Sequence, residues 1–516
     1  MNYSEENPSY LSRTDILIAI LVGSAALALY IRTLAPSLLW GDSAEFQTLS
    51  YTLGMTHPSG YMTQIMFGKL FTYIPVGNIA YRVNLMSAFF GALAVAETYL
   101  IVRLLGGWRS AAVGAALLLA LTEGFWWRAL LAESYAPAAG MLATVWLLVL
   151  LWRNRGEWVY LFLAGVAGGL SLGIHSTVVM TVLSVLVFMA LSAPKREEWL
   201  AAAGGALLGA VITFGFFFYL DRNNPPSSIY NTVYLTNLSA FGLIPEEFDT
   251  PLKRFFAIFP ANHFWSYYFT ATPAEVGRRL VEYLSSFPLW GIPLVLIGAL
   301  ALLRERLAEG LYPVLAFLVI WGFAVTVSFS VYREFYVPVA VITSVWLGLG
   351  ASKLISLLKG LPVQSQTPTR ILQSIFMILL VALPVWHARA DLIPAINNGH
   401  PLFVRRDHIY PVFAPDKAIN DARKILARVE ENAIVFAPWD KLYSYVYTAH
   451  IEDGRTGVSF HEAWSTEEEK LANSAIAYIE QNLDIRPIYF TINMPELTDR
   501  YQVEKIDDTL YRIYRK

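Results

Sequence analysis

Long apolar stretches separated by short polar turns fill the first three quarters of the chain. A membrane span needs about twenty apolar residues, fewer where its ends snorkel, and about eleven stretches qualify. They run from Ile16 to Ile31, Val83 to Val102, Ala111 to Leu121, Ala136 to Trp152, Trp158 to Leu172, Thr177 to Leu191, Leu200 to Leu220, Phe287 to Leu303, Leu311 to Val327, Phe335 to Ala351 and Ile371 to Trp386. From about Ala388 charges return and no further span follows. There Lys417 to Val429 and Glu467 to Gln481 have helical spacing, while Ala433 to Ala437 and Pro487 to Thr491 read as buried strands. Tyr501 to Ile506 and Leu510 to Tyr514 read as a hairpin turning at Asp507-Asp508. The expected architecture is an α-helical polytopic membrane domain, residues 1–388, followed by a small C-terminal α/β soluble domain, residues 389–516.

Two polar interruptions are too long to be simple turns: residues 35–82 and residues 221–286. Within the first, Ile65, Leu70, Phe71 and Ile74 beside Gln64 and Lys69 predict an amphipathic helix lying in the interface from Tyr61 to Ile74, ended by Pro75-Val76-Gly77-Asn78. The second opens on Asn223-Asn224-Pro225-Pro226 and carries Tyr230, Tyr234, His263, Trp265, Tyr267 and Tyr268. That aromatic content predicts a folded, interface-lying lid and not a disordered linker.

Charge placement orients the spans. Arg103 and Arg109, Arg153 and Arg155, Lys195 and Arg196, Arg304 and Arg306, then Lys353, Lys359 and Arg370 all fall on one face, as the positive-inside rule requires. With an odd number of spans the N-terminus is cytoplasmic, and both long loops and the C-terminal domain are extracytoplasmic. Met1 to Arg13 is polar, carries Glu5 and Glu6, and has no small-residue cleavage pattern after it, so the first span is read as retained and not as a signal peptide.

Composition agrees: 56% of residues are hydrophobic, 15% are charged, and mean hydropathy is +0.46, which suits a protein integral to the cell membrane. A net charge of −2 excludes the basic footprint of a nucleic-acid partner. Without cysteine there is no disulfide, thiolate nucleophile or zinc-thiolate site. No cofactor is assigned; a divalent cation stays open and would need His and carboxylate ligands.

Ionisable residues in or beside spans are costly and usually have a function or a partner. Asp42 and Glu45 follow the first span at a spacing of three, which puts both carboxylates on one side of a helix. The structural alternative makes Asp42 the cap of a helix running to Leu53, with Glu45 as its capping-box partner. Glu133, after the Trp126-Trp127 pair, stands at the mouth of the fourth span, where it could simply complement a helix dipole. His175 sits in a tight turn between two spans. Arg333, in Tyr332-Arg333-Glu334-Phe335-Tyr336, could snorkel or grip a phosphate. The expected topology puts all four groups on the extracytoplasmic face, where carboxylates, a histidine and an arginine suit transfer from a phosphate-linked lipid.

Several stretches together resemble the N-terminal region of the protein O-mannosyltransferase-like membrane family of the GT-C glycosyltransferase superfamily. They are Gly41-Asp42-Ser43-Ala44-Glu45-Phe46, the run Tyr51 to Tyr61 with Thr56-His57-Pro58-Ser59-Gly60-Tyr61, and Gly77-Asn78-Ile79-Ala80-Tyr81-Arg82-Val83-Asn84-Leu85. Phe125-Trp126, Ala132-Glu133-Ser134-Tyr135 and Gly169 to His175 continue the likeness through about the first two hundred residues. The resemblance implies a GT-C fold and a polyprenyl-phosphate-linked sugar donor, with mannose the leading sugar and a protein Ser/Thr or glycan hydroxyl as acceptor. Asp42 then takes the place of the acid that deprotonates the acceptor, which attacks the anomeric carbon with inversion. Glu45, His57 and Glu133 orient the acceptor or shape the donor pocket, and Tyr61, Tyr135 and His175 join them as binding candidates. Arg333 is assigned to the donor phosphate on its chemistry alone. Ala44 departs from the family pattern, where glycine is expected. The rival from another class is a transporter or lipid-linked sugar flippase, whose inverted repeats are not seen; Glu97, inside the second span, has no role in the enzyme reading.

Overall fold

The computed structural model describes residues 11–328, 332–359, 366–406, 414–465 and 469–516. Among them, helices Arg13–Thr33, Ile79–Leu104, Tyr135–Arg155, Arg196–Asn223 and Leu307–Thr326, and the helical stretch Glu334–Leu357, are long and apolar enough to cross a membrane. A seventh span is counted if Ile371–His387 and Arg389–Asn398, bent by 65° at Ala388, are taken together. The protein is therefore an integral membrane protein. The other four expected spans are shorter helices: Arg109–Leu121, Trp158–Ser171, Gly291–Glu305, and a pair, Ser176–Val179 and Val182–Ser192, broken at Met180-Thr181. A count of eleven thus rests on apolar length in the sequence and not on helices that are each long enough.

The chain divides into two compact units, neither of them continuous in sequence. The first comprises Met1–Leu34, Ser87–Thr213 and Ser266–Arg406; the second comprises Ala35–Met86, Phe214–Trp265 and Asp407–Lys516. The whole of the first polar interruption, and the part of the second up to Trp265, therefore belong with the C-terminal segment.

In the first unit, loops grouped by their Lys and Arg residues do meet. Asp15, in the first turn of its helix, binds Arg103 at 2.8 Å and Arg109 at 2.9 Å, Glu309 lies 3.8 Å from Arg153, and Lys353 pairs with Glu305. Small residues let helices approach closely: a Cβ on Gly298 would stand 1.9 Å from the Trp346 carbonyl oxygen, and one on Gly350 1.9 Å from that of Leu294.

In the second unit, helix Met62–Thr72 forms where amphipathic spacing predicted one. The 221–286 interruption is folded, with helix Pro251–Ile258 in this unit and helix Pro273–Ser285 in the first. The C-terminal segment builds a five-stranded sheet of β1 (Ile434–Ala437), β2 (Ser459–Glu462), β3 (Ile488–Phe490), β4 (Gln502–Asp507) and β5 (Leu510–Tyr514), in the order β2-β1-β3-β5-β4. β1 is parallel to β2 and β3, whereas β3, β5 and β4 are antiparallel neighbours. β1, β3 and the hairpin stand where the apolar runs placed them. Helix Lys417–Leu426 also matches its predicted segment, and Asn473–Asn482 matches the described part of the other, residues 466–468 lying outside the described set. β2 and helix Trp439–Tyr447 carry no clear apolar run and were not expected.

Candidate functional site

The Gly41–Thr52 helix is aimed by what precedes it. Gln47 accepts the Leu39 amide at 3.0 Å and donates to Asn84 at 2.8 Å, Asn84 donates to the Ala35 carbonyl at 2.9 Å, and Asn78 donates to Ser37 at 2.8 Å. Gly41 then turns the chain into the helix at φ +57°, a left-handed conformation that a Cβ disfavours. Ala44, the departure from the family pattern, is buried inside this helix, and its carbonyl accepts the Thr48 hydroxyl.

The capping alternative for Asp42 and Glu45 is overturned. The cap position is Trp40, Asp42 lies in the first turn, and Glu45 accepts hydrogen bonds from His57. One Glu45 oxygen takes the His57 amide at 2.8 Å and the other stands 2.5 Å from the ring Nδ1. Glu45 is fully buried, and burial pushes its carboxyl up from the ordinary range, His57 opposing and the Asp42 charge adding to the rise. Tyr61 packs against Phe46 at 5.1 Å and against the His57 ring at 4.9 Å. Asp42, Glu45, His57 and Tyr61 therefore form one group.

Residues outside the expected set complete it. The Trp439 indole N–H donates to Asp42 Oδ1 at 2.8 Å, and its ring stands edge-on to His57 at 5.7 Å. Tyr443 shares a hydrogen bond with Thr232 at 3.1 Å, and burial, with the Glu45 charge, raises its phenol. Glu462 is buried, accepts a hydrogen bond from Ser465, and is pushed up to about 8 by burial with the Glu45 charge adding to it. Burial pushes neighbouring His461 down to about 4; its Nδ1 donates to the Asn231 carbonyl and its Nε2 accepts from Tyr478. Lys441 and Lys417 stand over the Trp40 ring at 4.9 and 5.9 Å.

A signal for the missed residues was present. Trp439 and Glu462 follow or close the carboxyl ends of parallel strands β1 and β2, whose last residues, Ala437 and Glu462, are register partners. Sites in sheets with parallel strands gather at that edge.

The remaining expected residues lie in the first unit. His175 is buried, accepts the Thr177 amide through Nδ1, and packs against Tyr135 at 5.1 Å and Phe335 at 5.5 Å. Arg128 lies over the Tyr135 ring at 5.7 Å and pairs with Glu334. Glu133 is half-buried, and its carbonyl accepts the Ser87 hydroxyl. Arg333 is exposed, pairs with Glu282 at 3.3 Å, and lines a cleft of about 500 Å³ with Tyr336, His387 and Asp391. Buried Arg279, beneath the Tyr332 ring, bonds the carbonyls of Val325 and Val327. Among the described residues, no three His, Asp or Glu side chains group as a metal ligand set.

Residues 42–199 match the model of the Protein O-mannosyl-transferase TMEM260 N-terminal domain. The mouse Protein O-mannosyl-transferase TMEM260 is 33% identical over 119 residues, which are 23% of this chain and 17% of the mouse protein. The Dictyostelium discoideum tmem260 protein is 29% identical over 97 residues, 18% of this chain and 12% of that protein. The chain thus spans a small part of the length of the curated relatives it matches. The crystal structure of ArnT from Cupriavidus metallidurans bound to undecaprenyl phosphate superposes with a TM-score of 0.55 at 13% identity, covering 97% of this chain and 98% of that one. The fold is shared along nearly the whole chain.

Proposed function

We propose that this protein is a membrane glycosyltransferase that moves a sugar from a polyprenyl-phosphate carrier to a hydroxyl on a protein or glycan. The observation that carries the reading is the fixed Asp42 carboxylate beside buried Glu45 and its partner His57. Indole N–H is a donor only, so Trp439 holds one Asp42 oxygen without taking up its role as acceptor. The other oxygen serves as base for the acceptor hydroxyl, whose oxygen attacks the anomeric carbon as the lipid phosphate leaves, inverting the configuration. Glu45 and His57 set the polarity beneath the acceptor, and Tyr61 supplies an aromatic wall. The relatives are named protein O-mannosyl-transferases and the shared fold binds undecaprenyl phosphate in ArnT, which supports a lipid-linked donor and makes mannose the first sugar to test.

Arg333 remains a donor-phosphate candidate, and Lys417 and Lys441, flanking Trp40 two residues before Asp42, are a second. The protein sits in the cell membrane with its N-terminus cytoplasmic and its site on the extracytoplasmic side. Residues 1–388 carry the spans and residues 389–516 the soluble sheet, while Glu133, Tyr135 and His175 shape binding.

The test is transfer from radiolabelled polyprenyl-phosphate sugars by the protein in liposomes. Label should move from the mannose-linked donor to a hydroxyl acceptor and stop in Asp42→Asn. A protein that consumes no lipid-linked donor would end this reading.

A further inference from the structure

The bend between helices Ile371–His387 and Arg389–Asn398 opens a groove lined by residues of those two helices. Pro384 lacks the amide that the Leu380 carbonyl would accept, and the helix breaks four residues later. The concave side holds about 980 Å³, walled by Ile378, Val381 and Val385 before the bend and by Ile393 and Ile396 beyond it. Arg389 sits at the bend. Its guanidinium lies 3.9 Å from the Trp386 ring centre and donates to the Trp386 carbonyl, and no carboxylate among the described residues pairs with it.

From these features we propose that the groove binds one anionic diacyl phospholipid, its headgroup phosphate on Arg389 and one acyl chain along each limb. An arginine stays charged and grips phosphate through a planar fork. Left without an acid at the end of an apolar helix, it favours an anionic head over a zwitterionic one. From Arg389 back to Ile378 is about 16 Å at 1.5 Å per residue, close to the roughly 15 Å apolar depth of one leaflet. Apolar wall leaving the cation in both directions fits two chains from one head, whereas a polyprenyl phosphate sends out a single chain.

Native mass spectrometry of the full protein in mild detergent, titrated with dioleoylphosphatidylglycerol or dioleoylphosphatidylcholine, tests this. One phosphatidylglycerol should bind about fivefold more tightly than phosphatidylcholine. Arg389→Gln should erase that preference, Arg389→Lys should keep most of it, and Ile393→Asn should weaken both lipids. Monodisperse elution and unchanged circular dichroism establish that each variant is folded. Equal binding of the two lipids to the native protein, or a preference that survives Arg389→Gln, overturns the proposal. So does undecaprenyl phosphate displacing phosphatidylglycerol at lower concentration through Arg389, which would give the groove to a single-chain lipid. Because transfer assays play no part, failure here leaves the role of Asp42 untouched.

Discussion

The proposed role asks the Asp42 side chain to accept a proton while staying in place. The Trp439 N–H restrains one oxygen and cannot compete for the proton. Asp42→Asn keeps the shape and removes the base, so transfer should fall about a hundredfold or more, since a positioned base is worth that much. Trp439→Phe keeps a ring and removes the donor; a hydrogen bond to a charged group is worth roughly 1.5–3 kcal/mol, so a loss of about tenfold or more is expected in kcat. A Trp439→Phe enzyme with unchanged kcat would mean that Asp42 is oriented by its helix alone. The local rules that offered Asp42 as a cap failed because the helix already begins at Gly41, with Trp40 at the cap, and Glu45 is committed to His57.

Glu462 gives a pH signature at the same scale. Its carboxyl titrates near 8 in the folded protein and near 4.5 in the unfolded chain, because burial disfavours its charge. Between those values the folded state holds the extra proton, so its contribution to stability is complete below pH 4.5 and is lost as pH rises towards 8. His461, pushed down to about 4, acts in the opposite sense over a lower window, adding stability as pH rises from 4 to 6.5. Glu462→Gln removes the first effect only. Thermal unfolding of the variant should lose less stability than the native protein between pH 6 and 8, and parallel curves would show that Glu462 is not buried as a neutral acid.

Among the elements, helix packing makes demands that hydropathy cannot reveal. Apolar runs located the spans because a twenty-residue window responds to composition. They did not locate the break at Met180-Thr181 or the late start of helix Gly291–Glu305, inside the expected Phe287 to Leu303 span. Gly298 shows such a demand. An added methyl there meets the Trp346 carbonyl, a backbone atom that cannot rotate away. Gly298→Ala should therefore cost about 1–3 kcal/mol by overpacking. Gly204, inside helix Arg196–Asn223, has open space around it, and Gly204→Ala should be neutral or stabilising by up to about 1 kcal/mol. Melting temperatures in detergent compare the two directly; equal shifts would remove close backbone approach as the cause.

For the molecule as a whole, the sequence order of the spans and the sheet concealed which stretches fold together. Asp42, Glu45, His57 and Tyr61 were legible because motif and spacing are local, whereas Trp439, Tyr443 and Glu462 reach the same group from far along the chain, Trp439 being 397 positions from Asp42. The second unit joins Ala35–Met86 to the C-terminal segment, and helix Trp439–Tyr447 supplies the Asp42 partner and a backbone carbonyl for Thr48. A chain ending at Arg406 keeps every acid of the first loop yet lacks what holds them. The ion pairs of the first unit, Asp15 with Arg103 and Arg109 and Arg128 with Glu334, use nothing beyond Arg406. Such a chain should insert into membranes and retain its helical circular dichroism while transferring no sugar above background. Transfer at near the native rate would mean that Asp42 needs neither Trp439 nor the sheet, and the base would then have to be held from within residues 35–86 alone.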